Sequence, residues 1–196
     1  DVLKDEFNGE ATASKLARVR EQMEKEEAQY HIISTLDDIA WILNVRGNDI
    51  PHVPVVLSFL VIGKEDTMWF VEENALSDAV KEMAAECGIT IRPYEDVYAY
   101  AATIPEHSTV LLDKRKVNYR ITNALSETVH IVSKANPSQL MKAIKNEIEL
   151  ENTRKAHLLD GIAVTKFMYW LKKNVGKIPM DEVSVSDYLQ SLREQM

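Results

Sequence analysis

Apolar residues along this chain follow two periods, one helical and one extended, and the two take turns. Leu16, Val19 and Met23 fall at helical spacing among charged neighbours, which predicts a helix over residues 13–29 with Ser14 as cap or first-turn residue. Residues 30–34 are rich in β-formers and read as a strand. Residues 36–43 then read as a helix, with Asp37 and Asp38 in the first turn, where the helix dipole favours acid. A turn at Arg46-Gly47-Asn48-Asp49 leads to the nearly continuous apolar run 55–62, the pattern of a strand covered on both faces. Residues 67–71 form its hairpin partner. A helix over 74–87 carries Leu76, Val80 and Met83 on one face and stops at Gly88. Strands at 89–94, 109–113 and 129–133 then alternate with helices at 97–104, closed by Pro105, and 119–125. Strands and helices in this order, opened by a hairpin, predict an α/β fold: a mixed sheet flanked by helices.

The pattern changes at Asn136-Pro137. Residues 137–175 are almost entirely helical in period, with Leu159, Ile162, Ala163, Phe167, Trp170 and Leu171 on an apolar face. Gly176 to Pro179 interrupts it, and a further helix begins at 184 with Ser184 or Ser186 as cap. This places a domain boundary near Ala135, separating 1–135 from 136–196. Residues 1–12 read as a polar lead-in with a break at Gly9. The chain opens on Asp1 and ends within a helical pattern, which suggests a part of a longer protein.

Composition narrows the function classes. A net charge of -8 argues against non-specific binding to nucleic acid or anionic membrane. The one basic cluster, Lys114-Arg115-Lys116, reads as a solvated turn. The single cysteine, Cys87, excludes an internal disulfide and gives no sign of an oxidising compartment. It lies at a helix end with no neighbouring histidine, so it reads as structural and not as a nucleophile. The longest strongly apolar run, 53–62, is too short to span a bilayer.

Catalytic signatures are absent. There is no Gly-rich phosphate loop, no nucleophile elbow, no H-E-x-x-H and no cysteine-based zinc spacing. His157 and Asp160 share a helix face, which is half of a metal site at most, and reads better as surface hydrogen bonding. Glu147, Glu149 and Glu151 point to different sides of a helix and read as a solvated cluster, with Glu151 able to pair with Lys155. Trp41, Trp69 and Trp170 sit in apolar patterns and read as core anchors. Asp49 and His52 lie in a loop, where function concentrates, although structural roles are the commoner outcome.

Three stretches together carry a resemblance. The first runs from Asp37-Asp38-Ile39-Ala40-Trp41 through Arg46-Gly47-Asn48-Asp49-Ile50-Pro51 to Pro54-Val55 and Ser58-Phe59. The second is the lead-in around Gly9 with Lys15-Leu16-Ala17-Arg18-Val19-Arg20. The third joins Ile144-Lys145-Asn146 and Glu149 to Arg154-Lys155-Ala156-His157 and Asp160-Gly161-Ile162-Ala163-Val164. In this order they resemble the three-domain aminopeptidases P, the Xaa-Pro aminopeptidases of the creatinase/prolidase (pita-bread) superfamily. The resemblance implies that 1–135 is a non-catalytic, creatinase-like middle domain and that 136–196 holds the first helices of a metallopeptidase domain. It implies a hydrolase that removes the residue before a proline, using two divalent metal ions, manganese by family habit, held by two Asp, one His and two Glu. None of those ligands maps onto this chain, so no catalytic or metal residue is assigned here, and the cofactors belong to the intact protein. Arg46, Asp49 and His52 are the candidates for a loop facing the substrate cleft. A cytoplasmic homodimer and a peptide substrate with proline in second position are implied as well. A peptidase-like scaffold that binds a peptide or protein without cleaving it is the alternative; prolidase or creatinase proper fits less well.

Overall fold

The computed structural model describes residues 1–196. Six strands follow in chain order: β1 (Tyr30–Ile33), β2 (Ser58–Gly63), β3 (Thr67–Val71), β4 (Ile89–Arg92), β5 (Thr109–Leu112) and β6 (His130–Ser133). The helices are α1 (Asp5–Asn8), α2 (Thr12–Lys25), α3 (Leu36–Ile42), α4 (Asp78–Glu86), α5 (Asp96–Ala102), α6 (Tyr119–Ala124), α7 (Pro137–Ala143), α8 (Glu147–Asn174) and α9 (Glu182–Arg193). The strands form one sheet in the order β4-β3-β2-β1-β5-β6. The β1–β2 and β2–β3 pairs are antiparallel, and the other three are parallel. The expected mixed sheet is present.

Alternation along the strands builds two cores. Ile33, Leu60, Ile62, Trp69, Val71 and Leu111 point to the face covered by Leu16, Val19 and Met23 of α2, Ile39 and Ile42 of α3, and Val80 and Ala84 of α4. Ile32, Phe59, Val61, Phe70, Val110 and Leu112 point to the other face, under Val97 and Ala101 of α5 and Ile121 of α6. Burial on both faces explains why β2 reads as an unbroken apolar run.

The chain divides into two compact units, Asp1–Lys145 and Asn146–Met196. The change of pattern near Ala135 falls ten residues before this division, because α7 packs on α2 and α3 of the first unit. Residues 137–175 hold two helices: Ile144 leaves helical geometry at ψ 95°, and Asn146 caps α8. In the second unit α8 and α9 pack as a pair, with Trp170 stacked on Tyr188 at 4.0 Å between ring centroids.

Several element starts differ from the sequence expectation. The N-cap position of α2 is Ala11, and Ser14 lies inside the helix, bonded to Glu10 Oε1 at 2.8 Å. The cap of α9 is Asp181, which accepts from the Ser184 N–H while Ser184 Oγ accepts from the Asp181 N–H, so neither Ser184 nor Ser186 is the cap. β2 begins at Ser58 and not at 55, since Pro54 has no N–H to give a ladder and Leu57 N–H donates to Asp49 Oδ2 instead. Residues 73–75 form a separate 3-10 turn before α4. The lead-in folds too: α1 ends on Gly9 at φ 65°, and Val2 bridges to Val45.

Candidate functional site

The loop that leaves α3 is tied down by side-chain hydrogen bonds along its length. Its root is fastened by a buried lysine. Lys15 Nζ donates to Trp41 O at 3.0 Å and to Asn44 Oδ1 at 2.6 Å, and lies 4.3 Å from the centre of the Trp41 ring. A cation over the last carbonyls of a helix is favourable in itself. Asn44 takes a left-handed turn at φ 53°, and its amide donates to Glu10 O at 2.8 Å. Arg46 Nη1 then donates back to Ala40 O and Val45 O, at 3.0 and 2.8 Å. Gly47 passes so close to the next strand that a Cβ there would meet Val56 Cγ2 at 2.6 Å and Val55 O at 2.9 Å. Asp49 Oδ2 accepts from Leu57 N–H at 2.7 Å, which ties the two arms of the loop together. His52 sits at the exposed tip, at φ 64°, inside the tight turn that bridges Ile50 to Val53.

Of the three cleft candidates, Arg46 and Asp49 line one cavity of about 500 Å³, and His52 does not. Val45, Val56, Trp69, Leu76 and Val80 supply its apolar wall. Trp69 is fully buried as expected of a core anchor, yet it also lines this cavity, and its Nε1–H has no hydrogen-bond partner.

The remaining candidates have local roles. Asp160 Oδ1 accepts from Arg193 Nε at 2.7 Å, and His157 is exposed on α8. Glu149 is more than a solvated acid: with Asn146 it completes a capping box at the start of α8. Glu151 pairs with Lys155 at 2.8 Å. Burial, and then the neighbouring Glu86, push the Cys87 thiol above its ordinary range, the opposite of what a nucleophile needs. No group of three or more His, Cys, Asp or Glu is placed to hold a metal ion, so no metal chemistry is derived from these residues. No helix is long and apolar enough to cross a membrane.

One buried polar network was invisible in the pattern. Asp38, in the first turn of α3, is almost fully buried. Its carboxylate accepts from Thr35 Oγ1 at 2.5 Å, Asn136 Nδ2 at 3.2 Å and Lys142 Nζ at 2.9 Å. Lys142 also pairs with Asp37. Burial opposes the Lys142 charge, but hydrogen bonds to the two carboxylates prevail and raise its pKa above the usual lysine value. His31 of β1 is wholly buried; its Nδ1 meets Leu111 O at 2.9 Å, and its Nε2 has no partner. Burial lowers its pKa to about 4, against the smaller opposing effects of the Leu111 carbonyl and Asp38. The only sequence sign of this network was acid in a helix first turn.

Comparison with known proteins places these features. The Creatinase/Prolidase N-terminal domain family matches residues 1–149. The chain is 34% identical over 99% of its length to the "Probable Xaa-Pro aminopeptidase P" of Neurospora crassa, of which it covers 30%. It is 34% identical over 98% of its length to "Xaa-Pro aminopeptidase 1" of Dictyostelium discoideum, covering 31% of that protein. It therefore spans about a third of the length of these relatives. Among solved structures, the X-prolyl aminopeptidase of Caenorhabditis elegans, described as a cytosolic enzyme with a di-nuclear active site, superposes at TM-score 0.90 with 27% identity. The match covers all of this chain and 33% of that one. The Xaa-Pro dipeptidase of Bacillus anthracis shares the fold at TM-score 0.69 and 12% identity, over 94% of this chain and 49% of its own. A six-stranded mixed sheet of this order, matched by the family over three-quarters of the sequence, shows that the chain belongs to the creatinase/prolidase N-terminal domain family.

Proposed function

We propose that this chain is a non-catalytic segment of a metal-dependent Xaa-Pro aminopeptidase, which removes the N-terminal residue ahead of a proline. The observation that carries this is the likeness to named Xaa-Pro aminopeptidases over 99% of the chain at 34% identity. In this reading 1–135 is a creatinase-like middle domain and 136–196 holds the opening helices of the catalytic domain. Two divalent metal ions, of which manganese is our choice, would polarise the scissile carbonyl and activate water. This chain has no residues grouped to hold them, so in this reading their ligands belong to another part of the longer protein. A cytoplasmic homodimer is part of the same proposal.

The segment's own contribution would be shape. A proline substrate has no N–H at the scissile bond and a fixed φ, so it is selected by a walled pocket more than by backbone hydrogen bonds. The loop 46–52 is our candidate wall, with His52 at the tip and Arg46 and Asp49 holding its arms. The test compares peptides with proline in second position against this chain alone and against a protein of the relatives' full length. Cleavage by the long form alone is expected; cleavage by neither, with metal supplied, favours a binding scaffold without catalysis. In the active long form, Arg46→Ala should raise KM or lower kcat by about tenfold. Unchanged kinetics would remove the loop from the cleft.

A further inference from the structure

Helix α2 carries a charge where its pattern calls for an apolar residue. Its buried side chains are Thr12, Lys15, Leu16, Val19 and Met23, one stripe at helical spacing. Lys15 is 1% exposed within that stripe. An ammonium is costly to bury, and Leu or Met would fill the same place without that cost. What the ammonium adds is a grip on acceptors that an apolar side chain could not hold. Lys15 Nζ donates to Trp41 O at 3.0 Å, in the last turn of α3, and to Asn44 Oδ1 at 2.6 Å, two residues beyond that helix.

Asn44 is where the chain turns from α3 into the loop. It adopts φ 53°, a left-handed conformation that costs most non-glycine residues energy. Both ends of its amide are held, Oδ1 by Lys15 and Nδ2 by Glu10 O at 2.8 Å. Its carbonyl accepts from Leu3 N–H at 2.6 Å, and Leu43 O beside it accepts from Thr12 Oγ1 at 3.1 Å. Residues 3, 10, 12 and 15 therefore grip the two residues from which the loop departs. Arg46, Asp49 and His52 inherit their starting direction from that turn.

We propose that Lys15 is a positioning residue for the loop 46–52. It touches no substrate and acts through Asn44, by locking the turn that aims the loop. The role rests on the reading of that loop as a wall of the substrate cleft. A wall held in place before substrate arrives does not have to be ordered on binding.

The first test is amide hydrogen exchange on the 196-residue chain and on its Lys15→Met and Asn44→Gly variants. Methionine keeps most of the bulk, and glycine keeps the left-handed turn while removing the side-chain bonds. The amides to follow are Val45, Arg46 and Leu57, which donate to Ala40 O, Asp1 O and Asp49 Oδ2. Both variants should speed their exchange about tenfold and leave the amides of β1 and β5 as they are. The double variant should fall short of the sum of the two, since both remove one contact. Unchanged exchange at the three loop amides overturns the proposal. So does a loss spread evenly over the sheet, which would make Lys15 a support of the whole core. Additive effects overturn action through Asn44. The second test is cleavage of a peptide with proline in second position by a protein of the relatives' full length. Lys15→Met should lower kcat/KM about tenfold, divided between KM and kcat as Arg46→Ala divides it. Unchanged kinetics in the Lys15 variant alone overturns the positioning role. A loosened loop with unchanged kinetics in both the Lys15 and the Arg46 variants supports the clamp and takes the loop out of the cleft.

Discussion

Lys15 and His31 show how much a single buried polar group decides. Lys15 is 1% exposed, and its ammonium donates to a backbone carbonyl and to an amide oxygen. Lys15→Ala removes the cation and leaves the Trp41 and Asn44 acceptors buried, so a loss of about 3 kcal/mol is expected in urea unfolding. Lys15→Met keeps the bulk and should cost less; equal losses would mean that packing, not the ammonium, matters. His31 predicts a pH dependence. Its folded pKa of about 4 lies below the ordinary 6.5, so between these values the unfolded chain binds the proton and the folded chain does not. The stability held above pH 6.5 is therefore lost as pH falls, by about 2 kcal/mol at pH 5 and about 3 kcal/mol once pH passes 4. Urea midpoints against pH measure it, and His31→Leu should remove that part of the slope.

At the level of elements, Asp38 decides where α7 belongs. The helix is seven residues long, too short to hold itself in water. Its attachment to α3 runs through the Asn136 and Lys142 bonds to one buried carboxylate. Asp38→Asn keeps the shape and removes the charge that Lys142 faces. Backbone amides of residues 140–144 should then lose about 100-fold in hydrogen-exchange protection while those of β1, β2 and β5 keep theirs. A uniform loss across sheet and helix would show that Asp38 supports the whole unit and not α7 in particular.

For the molecule as a whole, the two units differ in how much apolar surface they cover. The first has a core on each side of its sheet. In the second, Ala163 and Leu192 are the buried apolar residues, while Leu158, Ile162 and Tyr169 are 66%, 40% and 69% exposed. A face of this kind drives association. The 196-residue chain is expected to self-associate at micromolar concentration in sedimentation velocity, and Leu158→Lys with Tyr169→Lys to return it to monomer. A wild-type monomer at about 100 µM would contradict this.

The order and type of the elements were legible in the sequence because each depends on neighbours a few residues away. The short apolar runs in 58–62 and 67–71 and period 3.6 in 16–23 are local properties, and so were Gly9, Gly88 and Pro105 as stops. Helix starts were less legible: at α9 Asp181 caps where nearby serines could also have done so, and at α8 Asn146 caps within what reads as a continuous helical pattern. Of the candidate site, the loop 46–52 stood out by its turn residues, but not its division into two arms that line a cavity and a tip that does not. Nothing local marks Lys15 or Asp38 as buried. Their partners Asn44 and Asn136 lie 29 and 98 residues away, and burial of a charge is settled only when distant segments close around it. The same closure alone brings Trp69, Ser77 and Arg46 around one space.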